Sequence, residues 1–251
     1  MESTAITRLP ALKKRLRDTK PDQAKKRGPY DSDLMLERRR KAIDATKRLI
    51  AERGAYGFTI RELTDLADVS LTFIYSAYGD KEGLVAAAIQ DFYLALPVAQ
   101  RRSPTTLTGL LGDIDEATAV ILANAAYSRA LADLYFSRTA DPRPYAIVRQ
   151  MAVDTFLPWL EMIAKNGATV PGLTLDTMCS ILANDRWTGI FDWARSRIPD
   201  ERLAAATKIS FLVTASGLTF GPVRDRLDKT LWKLLHTSGP GGALAHQTKR
   251  K

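Results

Sequence analysis

Residues Gly54 to Leu84 read GAYGFTIRELTDLADVSLTFIYSAYGDKEGL, and they decide the fold. Thr59-Ile60-Arg61-Glu62 is a capping box: the Thr59 hydroxyl suits the first free amides of a helix, and Glu62, three residues on, can bond back. Phe58 before the cap and Leu63 inside the helix form the matching apolar staple. Leu63, Thr64, Ala67 and Val69 continue as a narrow apolar stripe at helical spacing. At Asp68 the helix must stop, and a left-handed residue is expected there, which Asp tolerates better than most side chains. Ser70 then caps a second helix, Leu71 to Tyr78, and Asp80 caps a third that opens Lys81-Glu82-Gly83-Leu84. Helix, short turn, helix is the geometry that lays a second helix in a DNA major groove, and by spacing alone it fits a hairpin of an ordinary helical bundle equally well.

The flanking chain extends the helical reading. A first helix is expected from about Asp33 to Arg53, with Ala42, Ile43, Ala45, Thr46, Leu49 and Ile50 on its buried face and Arg38-Arg39-Arg40-Lys41 outward. The helix after Asp80 should run to near Leu96, where Pro97 ends or bends it, and Pro97 to Pro104 reads as a domain boundary. Beyond it, Ser103-Pro104 and Asp141-Pro142 each read as a cap followed by a first-turn proline. Pro158 should kink or interrupt its helix, and Asn166-Gly167 should end it. Thr174 starts a long helix to about Arg195, Pro199-Asp200 opens the next, Gly221-Pro222 breaks it, and a short last helix follows. No strand-like alternation persists, so the expected fold is all-α: a three-helix N-terminal head and a helical C-terminal body.

Composition sets further bounds. The 251 residues are 45% hydrophobic, enough for a sizeable core, and carry a net charge of +9. Residues 1–30 hold nine Lys/Arg against three Asp/Glu, and Lys249-Arg250-Lys251 supply the rest, so residues 31–248 are neutral overall. The basic character therefore belongs to the two tails, and the pI alone is no argument for DNA binding. Residues 1–30 read as mostly disordered and Gly239 to Lys251 as a tail; Lys13-Lys14-Arg15, Arg17 and Lys25-Lys26-Arg27 suit either phosphate contacts or simple solvation. Cys179 is the only cysteine, which excludes an internal disulfide and fits a reducing compartment. No apolar run is long enough to span a bilayer and the N-terminus lacks a signal-peptide shape, so a cytoplasmic protein without membrane contact is expected.

The ordered run Gly54, Phe58-Thr59-Ile60-Arg61-Glu62-Leu63, Ala67-Asp68-Val69-Ser70, Ile74-Tyr75, Tyr78, Lys81-Glu82 and Leu84 resembles the DNA-binding domain of the TetR (tetracycline-repressor) family of bacterial transcription regulators. The sequence departs from that pattern at Asp68, where Gly is usual, at Thr64, where Ala is usual, and at Leu71 and Phe73, where polar residues are frequent. The resemblance implies a layout of basic tail (1–30), helix-turn-helix head (31–100), ligand-binding and dimerisation body (101–238) and basic C-terminal tail (239–251). It implies a homodimer on double-stranded DNA with a palindromic operator, built on a four-helix interface from residues of about 174–196 and 199–220. It also implies repression relieved by a small-molecule effector.

Ser70, Leu71, Thr72, Phe73, Tyr75 and Ser76 are the candidate groove residues. Leu71 and Phe73 donate no hydrogen bond and would favour thymine methyls, unless one of them points into the head's own core. Thr59, Arg61, Tyr75 and Lys81 match phosphate-holding positions of the resembling family, and hydroxyls, helix N-termini and cations suit that task. In the body, Tyr127, Phe156, Trp159, Trp187 and Phe191 are candidate linings of an apolar pocket for a lipophilic effector. No metal-ligand spacing, phosphate loop or catalytic triad is legible, so neither an enzyme nor a cofactor is expected. A TetR-like protein without a small-molecule effector, governed by a protein partner or acting architecturally through its tails, is the alternative reading.

Overall fold

The computed structural model describes residues 29–95 and 104–237. The two basic tails and the expected boundary from Pro97 to Ser103 lie outside the described residues. The described residues form ten helices: α1 Pro29–Arg53, α2 Ile60–Ala67, α3 Leu71–Tyr78, α4 Lys81–Ala95, α5 Leu107–Ala123, α6 Ala125–Tyr135, α7 Pro142–Lys165, α8 Leu175–Ala194, α9 Asp200–Leu218 and α10 Gly221–Thr237. The described residues up to Arg39 belong to one compact unit and those from Arg40 onward to a second. The description below concerns the second.

The caps of the head act as their residue types dictate. Glu62 N donates to Thr59 Oγ1 at 3.2 Å and Thr59 N to Glu62 Oε2 at 2.8 Å, closing the capping box. Phe58 and Leu63 are both buried, as a staple requires. Asp68 ends α2 in the left-handed region, at φ 52° and ψ 52°. Thr64 is buried, yet its hydroxyl donates to Arg61 O at 2.8 Å, so a polar group costs little where Ala would be simpler. Ser70 caps α3 through Phe73 N, and Asp80 caps α4 through Gly83 N at 2.7 Å. The buried face of α1 from residue 42 is as read: Ala42, Ile43, Ala45, Thr46, Leu49 and Ile50 are all buried.

The body departs from the sequence reading at three places. Helix α5 begins at Leu107, where Thr106 takes the extended capping conformation and accepts from Gly109 N, so Pro104 lies ahead of the helix rather than in its first turn. Pro158 does not interrupt α7, which runs unbroken from Pro142 to Lys165. Phe156, Trp159 and Leu160 are buried on either side of it, and that packing outweighs one missing backbone bond. The final helix is not short: Gly221-Pro222 both breaks the chain after α9 and opens a helix of 17 residues. Around Phe211 of α9 the core is aromatic, with Phe156 stacked at 5.5 Å and Trp159 edge-on at 5.5 Å. Cys179 is buried and its thiol is pushed up to about 11, chiefly by burial, so it stays protonated and unreactive at neutral pH.

Gly57 lets the turn before α2 close on α1. A Cβ there would lie 2.0 Å from the Arg53 carbonyl oxygen, a backbone atom that has nowhere to go. Gly57→Ala should therefore cost about 2 kcal/mol or more in urea denaturation; an unchanged midpoint would show that the turn relaxes freely.

Candidate functional site

Helix α3 divides cleanly into two faces. Phe73 and Ile74 are buried, Phe73 only 8% exposed, while Ser70, Leu71, Thr72, Tyr75 and Ser76 are exposed, Leu71 and Tyr75 at 49% each. Positions 71, 72, 75 and 76 share one side of a 3.6-residue helix, so the residues that cannot serve the core form one continuous outward surface. Phe73 is thereby withdrawn from the expected groove contacts: an apolar ring on the same face as Ile74 goes inward, where burial stabilises it. The outward face holds two hydroxyls, a phenol and a leucyl side chain, and no charge. It can read bases by hydroxyl bonds and by contact with thymine methyls.

The expected phosphate contacts divide as well. Arg61 is exposed at the start of α2. Thr59 is exposed, but its hydroxyl serves the cap, donating to Glu62 Oε2 at 3.0 Å. Lys81 is turned back on the head. Its ammonium donates to Tyr56 O at 3.1 Å and Phe58 O at 2.5 Å, and lies 4.4 Å from the centre of the Phe58 ring. Burial lowers the pKa of this lysine. Lys81 thus locks the turn before α2 onto the start of α4, and sequence reasoning missed that role because the carbonyls concerned lie more than twenty residues away.

Glu62 also receives Arg53 Nη1 at 2.7 Å, which fastens the end of α1 to the start of α2. Its pKa is lowered, first by the Thr59 amide and then by Arg53.

A second junction joins head to body. Arg143, at the start of α7, donates through Nη2 to Asp80 Oδ2 at 3.0 Å and to Asp141 Oδ2 at 3.1 Å. Asp141 N donates to the Tyr56 hydroxyl at 3.1 Å. Asp80 is the residue that caps α4 directly after α3, so α7 bears on the end of α3. The Arg143 guanidinium holds both carboxyls below their ordinary range, aided by the Gly83 amide at Asp80 and the Arg143 amide at Asp141.

Within the body, helices α4 to α8 enclose a cavity of about 60 Å³. Its walls include Phe92 and Tyr93, Val120 and Ile121, Ser128 and Leu131, Met151 and Thr155, and Arg186, Trp187 and Ile190. Of the five aromatic residues expected to line a pocket, Trp187 does. Phe156 and Trp159 are instead engaged with Phe211, and Phe191 packs on Phe136 at 5.0 Å. Tyr127 lies behind the wall, 4.7 Å from the Phe92 ring, with its buried hydroxyl unpaired. Helix amphipathicity says that such rings are buried but not which void they border, and no pattern in the sequence marked Arg186.

Residues 42–88 match the family model for bacterial regulatory proteins of the tetR family. The matched stretch opens inside α1 and closes inside α4, and so contains the whole capped pair α2–α3. The head is thus similar to that of tetR-family regulators. The HTH-type transcriptional regulator HbdR of Aromatoleum sp. (strain CIB) is 29% identical over 85 residues, which span 34% of this chain and 36% of the relative. Solved structures extend the likeness of fold beyond the head. A putative TetR-family regulator from Syntrophomonas wolfei superposes with a TM-score of 0.56 at 14% identity, covering 72% of this chain and 96% of that one. The TetR regulator TylP of Streptomyces fradiae gives 0.54 at 17% identity, covering 79% and 95%. FadR of Bacillus subtilis, solved in complex with stearoyl-CoA, gives 0.54 at 15% identity, covering 71% and 98%.

Among the described residues no helix is long and apolar enough to cross a membrane, and no group of His, Cys, Asp and Glu is placed to hold a metal ion.

Two outcomes follow from these contacts. Lys81→Met should lower stability by about 1 kcal/mol, since its partners are backbone carbonyls and its partial exposure screens the charge; a thermal scan matching the unsubstituted protein would refute the lock. Because the Asp80 and Asp141 pKa values are depressed in the fold, the Arg143 tie contributes above the unfolded carboxylate range and is lost as pH falls through the folded values. The midpoint deficit of Arg143→Ala should therefore be present at neutral pH and close on acidification; a deficit independent of pH would speak against it.

Proposed function

We propose that this protein is a homodimeric, sequence-specific DNA-binding repressor released from a palindromic operator by a small effector held in the body. The observation that supports it best is the outward face of α3, with Leu71, Thr72, Tyr75 and Ser76 exposed on a helix fixed at both ends by caps. Ser70 at its N-cap and Arg61 on α2 would hold phosphates, and Leu71 would meet a thymine methyl. Thr59 would present the N-terminus of α2 to the backbone, and Lys81 would position the head rather than bind DNA directly.

Pairing would use the C-terminal helices. In the second half of the body the exposed large apolar side chains sit on α9 (Val213, 55%), just after it (Phe220) and on α10 (Trp232, 64%; Leu235). A self-complementary apolar face suits a two-fold dimer, and two-fold symmetry suits a palindrome with half-sites a whole number of turns apart. The face suggests α9 with α10, rather than α8 with α9, as the larger contributor.

The cavity favours a small-molecule effector over control by a protein partner alone. Its walls include α4, which begins at the Asp80 cap, and α7, which begins at the Arg143 tie. A ligand that fits one spacing of these two helices better than another would shift the heads by that difference in affinity and no more. The similar FadR structure holds an acyl-CoA, which supports an effector site in a body of this fold.

Selection from random DNA should return a two-fold symmetric site. Tyr75→Ala should weaken binding to that site by about tenfold or more with its melting temperature unchanged. Asymmetric selected sites, or an unaltered affinity, would refute the docking.

A further inference from the structure

The body cavity contains a cation without a counter-ion. Arg186 lines it from α8, and Nη1 donates to Thr155 Oγ1 at 2.7 Å on α7. That is a single neutral acceptor for a guanidinium that has five donors in a planar fork. Among the described residues no carboxylate reaches it at ion-pair distance. Arg186 is half-buried and lines the cavity. Burial draws its pKa down to about 10, with Tyr93 and Asp113 acting the other way, so it remains charged at neutral pH.

The other ionisable groups nearby are accounted for. The Tyr93 hydroxyl donates to Asp154 Oδ2 at 2.6 Å, and Gln150 Nε2 donates to the second oxygen of the same carboxylate at 2.5 Å. Asp113 is felt by Arg186 only through space. Glu116 lies on the exposed side of the wall. A half-buried guanidinium with a single neutral acceptor is poorly satisfied, and a planar two-oxygen anion is the partner its geometry matches best. Most of the wall is apolar, including Val120, Leu131, Met151 and Ile190, with Ser128 and Thr155 adding hydroxyls.

Size narrows the class. A void of about 60 Å³ holds on the order of four or five waters by the same measure, less than a benzene ring needs. We propose that the effector is a short-chain organic acid whose carboxylate lies bidentate on Arg186, with its hydrocarbon part among Val120, Leu131, Met151 and Ile190. This deepens the repressor reading and rests on it. Because Thr155 is on α7 and Arg186 on α8, a carboxylate that draws on the Arg186 fork acts on the helix whose first turn holds Asp80.

The test is calorimetry on the full chain with acetate and propanoate, each against its amide and its alcohol. The acids should bind the unsubstituted protein at least about tenfold more tightly than their amides, and the preference should fall as pH drops below the acid's own pKa. Arg186→Gln should abolish the preference, and Arg186→Lys should restore part of it. Thr155→Val, which leaves the charge in place, should keep it and so serves if the Arg186 variants fail to fold. Equal binding of acid and amide, or no binding of either acid at millimolar concentration, overturns the proposal. Operator binding, measured separately without ligand, tells the two readings apart: bound DNA with no acid preference sinks only the effector class, and no bound DNA sinks the repressor.

Discussion

A helix of eight residues does not hold itself together in water; closing its first turn fixes more dihedrals than one hydrogen bond repays. Helix α3 is that short, and it persists because each end is capped by a side chain or a glycine and because Phe73 and Ile74 are buried. Everything the head presents depends on this. The same burial that turns Phe73 inward turns Leu71, Thr72, Tyr75 and Ser76 outward, since the two sets lie on opposite sides of one short cylinder. Beneath them the Glu62 carboxylate accepts from Thr59 on one side and Arg53 on the other, so the start of α2 is fixed relative to the end of α1. The recognition surface is a consequence of packing and capping rather than a separately stabilised feature.

Helix α7 connects this head to the body chemistry. Its first turn carries Arg143, which reaches Asp80 beneath α4, and its third and fourth turns carry Met151 and Thr155 on the cavity wall. Tyr93 of α4 is bonded to Asp154 between these points. Two helices therefore touch both the head junction and the void, and both are rigid enough to convey a small change in spacing. Pro158 lies beyond the cavity residues in sequence, among buried Phe156, Trp159 and Leu160, so the one interior proline of α7 falls in its best-packed half.

The cavity is an unusual place for Arg186. Interior arginines are ordinarily matched by carboxylates, and this chain has placed its carboxylates elsewhere: Asp154 on Tyr93 and Gln150, Asp185 on Ser210 at 2.5 Å. Burial raises the Asp185 pKa, which the Ser210 hydroxyl partly offsets. The arrangement leaves a single hydrogen bond and an apolar void beside a permanent charge, conditions under which an anionic guest is worth more than it would be at a surface.

The sequence by itself determined the local structure of the head. Thr59 with Glu62, Asp68, Ser70 and Asp80 specify caps and a left-handed stop within a few residues of themselves, and local rules suffice to read them. It likewise determined the all-helical class and the inward stripe of α1 from Ala42 to Ile50. Only the tertiary structure decided which of Leu71 and Phe73 would face outward, because that depends on where α4 and α1 lie. The same holds for Lys81, whose carbonyl partners are distant in sequence, and for Tyr127, Phe156, Trp159 and Phe191, which periodicity marks as buried without saying against what. Arg186 is the clearest case: a charged residue on a long helix reads as solvated, and its place on a cavity wall exists only once five helices have closed around it.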